Sequence, residues 1–184
     1  MRFLYMKATG IVRRIDDLGR VVIPKEIRRT MRIREGDPLE IYTDRDGEVI
    51  FKKYSPIGEW SQIAAQYAET LNKTCGLSVI ICDRDAVIAA AGVSKREYSD
   101  RRLTPEFEEL METRSLYSGD ENERISVIEG GSHYVSCAMP IVSDGDIIGC
   151  VASLCAEGSR KAEDFPESKL IQTAASFLGR QTEA

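Results

Sequence analysis

The first fifty-four residues form a unit so small that it has trouble supplying a core of its own, and this constraint governs how the rest of the chain is read. A break falls at Tyr54-Ser-Pro-Ile-Gly58, where Pro56 removes a backbone donor and biases Ser55 to extended geometry. Ahead of it the pattern predicts four short strands and one short helix. Residues 9–15 read as a strand, Asp16-Asp-Leu-Gly19 as a turn, and residues 20–23 as a second strand rich in β-branched side chains. Pro24 suits the first turn of a helix over Lys25–Met31 that carries Ile27 and Met31 on one face, and Gly36-Asp-Pro38 stops it. Leu39–Thr43 and residues 49–54 alternate apolar and polar across the hairpin signal Asp46-Gly47. A unit of about fifty residues buries a small share of its surface, and four short strands leave their edges open. Two copies that interleave their hairpins answer both problems, so this head is expected to fold as a dimer.

Charge is divided along the same line. The whole chain of 184 residues has a net charge of −5, which taken alone argues against a polyanion partner. Residues 1–34, however, hold ten Lys and Arg against three Asp and Glu, whereas residues 55–184 hold twelve against twenty-one. A basic head on an acidic body points to a polyanion for the head only. No apolar run approaches the ~20 residues that a membrane span needs, and residues 1–6 are too short for a signal peptide, with Met6 an alternative start. The cytoplasm is the expected compartment, and no membrane contact is expected.

Past the break, Ile57, Trp60, Ile63, Ala64, Tyr67 and Leu71 recur at helical spacing, predicting an amphipathic helix of about five turns. Strands follow at residues 77–82 and Val87–Ala91, joined by an Asp83-Arg-Asp85 turn. Thr104-Pro-Glu-Phe-Glu108 opens a helix with a capping threonine, proline at the first position and acids in the first turn. Residues 124–129, 134–142 and 146–154 read as three more strands, with turns at Gly130-Gly131 and Ser143-Asp-Gly145. The last helix, residues 166–181, carries Leu170, Ile171, Ala174, Phe177 and Leu178 on one face. Hairpin-length connections make this an antiparallel sheet flanked by helices, so the chain as a whole is of the α+β class. The apolar faces of the first and last helices are long for covering one sheet face. Their surplus predicts a helical bundle between subunits and hence a homotetramer; packing of both helices within one body is the other reading.

Several side chains invite chemistry and fall short of it. His133, the one histidine, follows Ser132 in a turn with no acid placed by local spacing, so a triad lacks its orienting member. Gly119-Asp-Glu-Asn-Glu123 lacks the ligand cadence of a hard-cation loop. Five cysteines, none in C-x-x-C spacing, read as reduced buried thiols, and with one histidine they leave poor material for zinc. No catalytic residue, no metal and no cofactor is expected, and the chain does not read as an enzyme. Small residues at Ala89–Gly92 and Gly149–Ser153 admit either a ligand cavity or close packing.

The head is more informative. Arg13 and Arg14 end its first strand, Arg20 opens the second across the turn, and Arg28 and Arg29 lie on the following helix. The guanidinium fork grips phosphate bidentately or pairs with guanine O6 and N7 in the major groove. A two-fold dimer presents each arginine twice, at a spacing suited to paired half-sites. Surface pairing with Asp16, Asp17 and Glu26 is the alternative.

Residues 6–54 resemble the AbrB family of transition-state regulators. The likeness is carried by Thr9-Gly-Ile-Val-Arg13, Asp17-Leu-Gly-Arg-Val-Val-Ile-Pro24, Glu26-Ile-Arg-Arg-Thr30 and Leu39-Glu-Ile-Tyr42. It implies a domain-swapped hairpin dimer that binds double-stranded DNA through Arg13, Arg14, Arg20, Arg28 and Arg29, with loose sequence preference. The same fold serves as the DNA-binding half of some antitoxins, whose main partner is a protein. Those usually continue into a disordered tail, whereas this chain continues into a patterned body. A head and body in this order resemble a family of sporulation regulators of spore-forming bacteria. That resemblance implies a GAF-type sensory or oligomerisation domain over residues 56–181, with an unidentified small-molecule ligand. It also implies control of late, forespore-stage genes by both activation and repression. No cyclic-nucleotide motif and no chromophore cysteine is present, so the ligand-binding residues stay open.

Overall fold

The computed structural model describes residues 9–119, 124–156 and 166–182. Met6, residues 6–8 of the head and most of the acidic stretch 119–123 therefore lie outside the described residues. Two compact units meet between Tyr54 and Ser55.

In the first unit, α1 (Lys25–Met31) starts after Pro24 and ends at Arg32, which adopts a left-handed conformation and turns its N–H back onto Arg28 and Arg29 carbonyls. Strands β1 (Leu39–Thr43) and β2 (Val49–Lys53) form an antiparallel hairpin with Ile41 opposite Phe51. The Asp44 carboxylate accepts the N–H groups of Asp46 and Glu48 and so shapes the turn, while Gly47 supplies its positive φ of 84°. Asp37 ties helix to hairpin: its carboxylate accepts the Arg34 N–H at 2.8 Å and meets Lys53 Nζ at 3.3 Å, and that ammonium also donates to the Arg32 carbonyl at 2.9 Å. The expected strands at residues 9–15 and 20–23 are not formed within the chain. Extended backbone becomes a strand only when a neighbour supplies ladder bonds, and here the backbone bonds cross only the turn, Asp16 N to Arg20 O and Gly19 N to Asp16 O. Among the described residues of this unit, Pro24 alone is buried.

The second unit begins with α2 (Pro56–Glu59) and α3 (Ser61–Cys75). The single helix expected here is thus broken at Trp60, although Ile57 still reaches the core shared by Ala64, Ala68 and Leu71. An apolar stripe records which side chains face inward and does not register one interrupted backbone bond. Strands β3 (Ser78–Cys82) and β4 (Val87–Ala91) follow, then the short α4 (Lys95–Tyr98), for which the periodicity gave no sign. Helix α5 (Pro105–Glu112) has the expected cap: Thr104 Oγ1 accepts the Phe107 N–H at 3.2 Å. After the two-residue β5 (Tyr117–Ser118) come the long β6 (His133–Ser143) and β7 (Asp146–Ala156), and α6 (Glu167–Thr182) closes the chain. All pairings in the five-stranded sheet are antiparallel, in the order β4-β3-β7-β6-β5.

Both faces of this sheet are covered, and the pleat sorts them. Val79 and Ile81 of β3 pack with Val151, Ile171, Ala174 and Leu178 beneath α3 and α6. Ile80 and Cys82 turn the other way, to Val87, Phe107, Met111 and Cys150 beneath α5. Double coverage explains why Ser78–Cys82 reads as a continuous apolar run rather than an alternating one. Residues 124–129 are not the expected strand. Their carbonyls are taken singly: Thr104 N–H donates to Val127 O, Thr104 Oγ1 to Ser126 O and Val135 N–H to Ile125 O, which leaves only one bridge, Leu103 to Ile128. Small residues serve close approach. A side chain on Gly149 would collide with the Cys82 carbonyl oxygen, and one on Gly92 would meet Ser78 Cα at 2.8 Å.

Thr104 therefore caps α5 and anchors the loop that precedes β6. Replacing it by alanine is expected to cost about 1–2 kcal/mol. Urea unfolding should show this as a lower midpoint with an unchanged slope.

Candidate nucleic-acid interface

The five arginines sit on three successive pieces of the head: Arg13 and Arg14 on the arm before the turn, Arg20 just after it, and Arg28 and Arg29 in the last turn of α1. All five are exposed. Arg28 and Arg29 are also well placed against the negative end of their short helix, a modest stabilisation. Among the described residues, no ion pair engages Arg13, Arg14, Arg28 or Arg29.

Arg20 is different. Its Nε donates to Asp16 Oδ2 at 2.8 Å. The other oxygen of that carboxylate accepts the N–H groups of Leu18 at 3.0 Å and Arg20 at 2.8 Å. Gly19, at φ 77°, lets the chain fold back within these bonds. These donors hold the Asp16 carboxyl below its ordinary value, the Arg20 backbone N–H contributing most and its guanidinium next. Asp16 and Asp17 are thus not equivalent partners, a distinction that the pattern of residue types does not make obvious. The signal is present as Asp16-Asp-Leu-Gly-Arg20, an Asx residue ahead of a turn glycine with an arginine at i+4.

Around these arginines lies exposed apolar surface. Val12, Ile15, Leu18 and Val22 are each more than two-thirds exposed, and Ile41 of β1 is 60% exposed. The five arginines therefore ride on segments whose apolar side chains are largely unburied among the described residues.

Outside the head, His133 is the first residue of β6 and half-buried, rather than an exposed turn residue. Its Nδ1 lies 2.8 Å from Ser132 Oγ, and Glu97 of α4 arrives to accept the Ser132 N–H at 2.8 Å. The acid thus meets the serine and not the imidazole, so the order needed for a relay is not formed. All five cysteines are free; Cys82, Cys137 and Cys150 are buried, while Cys75 and Cys155 are only partly so. Burial pushes the thiols of Cys82 and Cys150 up, and Cys82 Sγ lies 3.8 Å from Met111 Sδ. On the outer side of the body, Tyr67 of α3 stacks on Phe177 of α6 with ring centroids 5.3 Å apart, and Phe177 stays 39% exposed. Most of the apolar surface on these two helices is used against the sheet, so the surplus is narrower than the sequence suggested. No helix among the described residues is long and apolar enough to cross a membrane.

A family model described as Stage V sporulation protein T C-terminal, transcription factor, matches residues 59–183. A second, described as antidote-toxin recognition MazE, bacterial antitoxin, matches residues 12–59. Stage V sporulation protein T of Bacillus subtilis (strain 168) is 50% identical over 183 residues, covering 97% of this chain and 99% of that one. Transition state regulatory protein AbrB of the same organism is 45% identical over 83 residues, 45% of this chain and 84% of that protein. The solution structure of AbrB's N-terminal DNA recognition domain is 65% identical and covers 28% of this chain and 94% of its own, at a TM-score of 0.25. A methyl-accepting chemotaxis protein, residues 122 to 287, covers 65% of this chain and 86% of its own at a TM-score of 0.52 and 18% identity, a likeness of fold alone. With half of its residues identical across nearly the whole of both chains, this protein belongs to the stage V sporulation protein T family.

Proposed function

We propose that this DNA-binding sporulation regulator meets the duplex as a two-fold dimer of heads, with Arg13, Arg14, Arg20, Arg28 and Arg29 forming the binding surface and the GAF-like body setting the oligomer. The observation that carries the reading is the pairing of two features in one small unit. Five exposed arginines stand on segments whose only buried residue, among those described, is Pro24. A second head would bury the apolar side chains of the arm and the hairpin and give residues 9–15 and 20–23 their missing ladder partners. The arginines would then repeat about a two-fold axis, as paired half-sites require. A duplex partner makes the cytoplasm the site of action, and the output in this reading is control of late, forespore-stage genes, some activated and some repressed.

For the body we propose a second interface between dimers through the Tyr67–Phe177 face of α3 and α6, giving a tetramer. The antitoxin reading is not favoured. Its model covers only residues 12–59, and the chain continues into a packed sheet rather than a toxin-clasping tail.

The test is binding of the full chain to duplex DNA across a salt series. Each neutralised phosphate adds about 0.9 to the slope of log K against log salt. Arg28→Ala should weaken binding and lower that slope by about 0.9 for every phosphate the variant leaves unneutralised. Arg20→Ala should weaken binding as well; an unchanged affinity removes Arg20 from the surface, and an absence of salt-sensitive binding in the parent removes the whole reading. Native mass measurement should show a tetramer for the parent and a dimer for Phe177→Ser, with DNA binding retained by each dimer.

A further inference from the structure

We propose that Asp16 is a positioning residue that makes Arg20 a reader of base edges rather than a clamp on phosphate. The inference rests on the reading that the head binds duplex DNA through its arginines. An acid in the midst of a phosphate-binding surface is costly, so its place there calls for a compensating role. The geometry supplies one. The Asp16 carboxylate receives the Arg20 Nε–H on one oxygen at 2.8 Å, and the Leu18 and Arg20 backbone N–H groups on the other at 3.0 and 2.8 Å. Backbone and side chain of Arg20 are thus fixed to one group, within a turn closed by Asp16 N to Arg20 O and Gly19 N to Asp16 O. The Arg20 side chain nevertheless stays 70% exposed, so its outer edge faces outward.

Two consequences follow. A guanidinium paired with a carboxylate has its charge offset, and so draws phosphates less than a free one does. The edge that remains is a rigid pair of terminal amines, matched to two acceptors side by side such as guanine O6 and N7. Arg13, Arg14, Arg28 and Arg29 carry no such ion pair among the described residues and keep their full charge for the backbone. The five arginines then divide their labour: four supply affinity and one supplies discrimination.

The neighbouring acid provides the control. Asp17 carries the same charge in the same turn, and among the described residues it makes no bond to Arg20. The variants are Asp16→Asn, which keeps an oxygen acceptor for the turn, Asp17→Asn, Arg20→Ala and the Asp16→Asn/Arg20→Ala pair, all in the full chain. Each is measured against a duplex recovered from the genome by crosslinking and against a scrambled duplex of equal composition. Asp16→Asn is expected to tighten binding to the scrambled duplex and to steepen its salt slope by about 0.9 for each Arg20 released to a phosphate. The preference for the recovered site should fall about tenfold. Asp17→Asn should tighten both duplexes alike and keep the preference. In the Arg20→Ala background, Asp16→Asn should leave slope and preference unchanged.

Two results overturn the proposal while leaving the interface intact: salt-sensitive binding with preference and slope preserved in Asp16→Asn, or an equal drop in preference from Asp16→Asn whether or not Arg20 is present. The second would mark Asp16 as a part of the turn alone. Absence of salt-sensitive binding by the parent would overturn interface and proposal together, and is told apart by that parent measurement. A carboxyl titration of the parent by NMR should place the Asp16 midpoint below its ordinary value, moving up in Arg20→Ala; a midpoint that does not move also counts against the clasp.

Discussion

Among the described residues, the apolar side chains of the head find little burial within one chain, and the shape of this unit rests on other interactions. Its helix buries no residue, and its hairpin exposes Ile41, Val49 and Phe51. What holds the unit in shape is polar and local: the Asp37 knot between Arg34 and Lys53, the Asp44 turn, and the Asp16 clasp. The Asp44 and Asp16 interactions are exposed and define a conformation while contributing little net stability, whereas the Asp37 carboxylate is buried in its knot. In the proposed dimer a second head supplies the missing hydrophobic burial, and the DNA-binding surface proposed for the arginines is then coupled to assembly.

The body is built the opposite way. Its sheet is enclosed on both faces, with fully buried side chains on each, and glycines at 149 and 179 let backbones touch where any larger residue would collide with a carbonyl. A domain so packed has a core of its own.

How much of this is readable from the sequence follows the same divide. In the body, apolar patterning finds α6, β3, β4, β6 and β7 to within two residues, because burial against one sheet is what the pattern records, and capping chemistry finds the start of α5. It misses α4, which is one turn long and held by Ser94, and it takes residues 124–129 for a strand because Val127 and Ile128 are buried there. Burial says nothing of where the carbonyls point. In the head, the arginine positions are plain, whereas the two strands around the turn are drawn from a pattern whose ladder partners are absent among the described residues of the chain. The Asp16 clasp escapes notice because two adjacent acids look alike until one is seen to bend back.

The thiols of Cys82 and Cys150 carry a last consequence. They face each other across the pairing of β3 with β7, and burial holds both in the protonated form. The reactive species is the thiolate, so oxidants and alkylating reagents find no handle at the centre of the folded sheet. This sulfur is silent for as long as the two strands stay together, and its sudden reactivity would announce their separation. The body thus contains its own chemical tell-tale of damage.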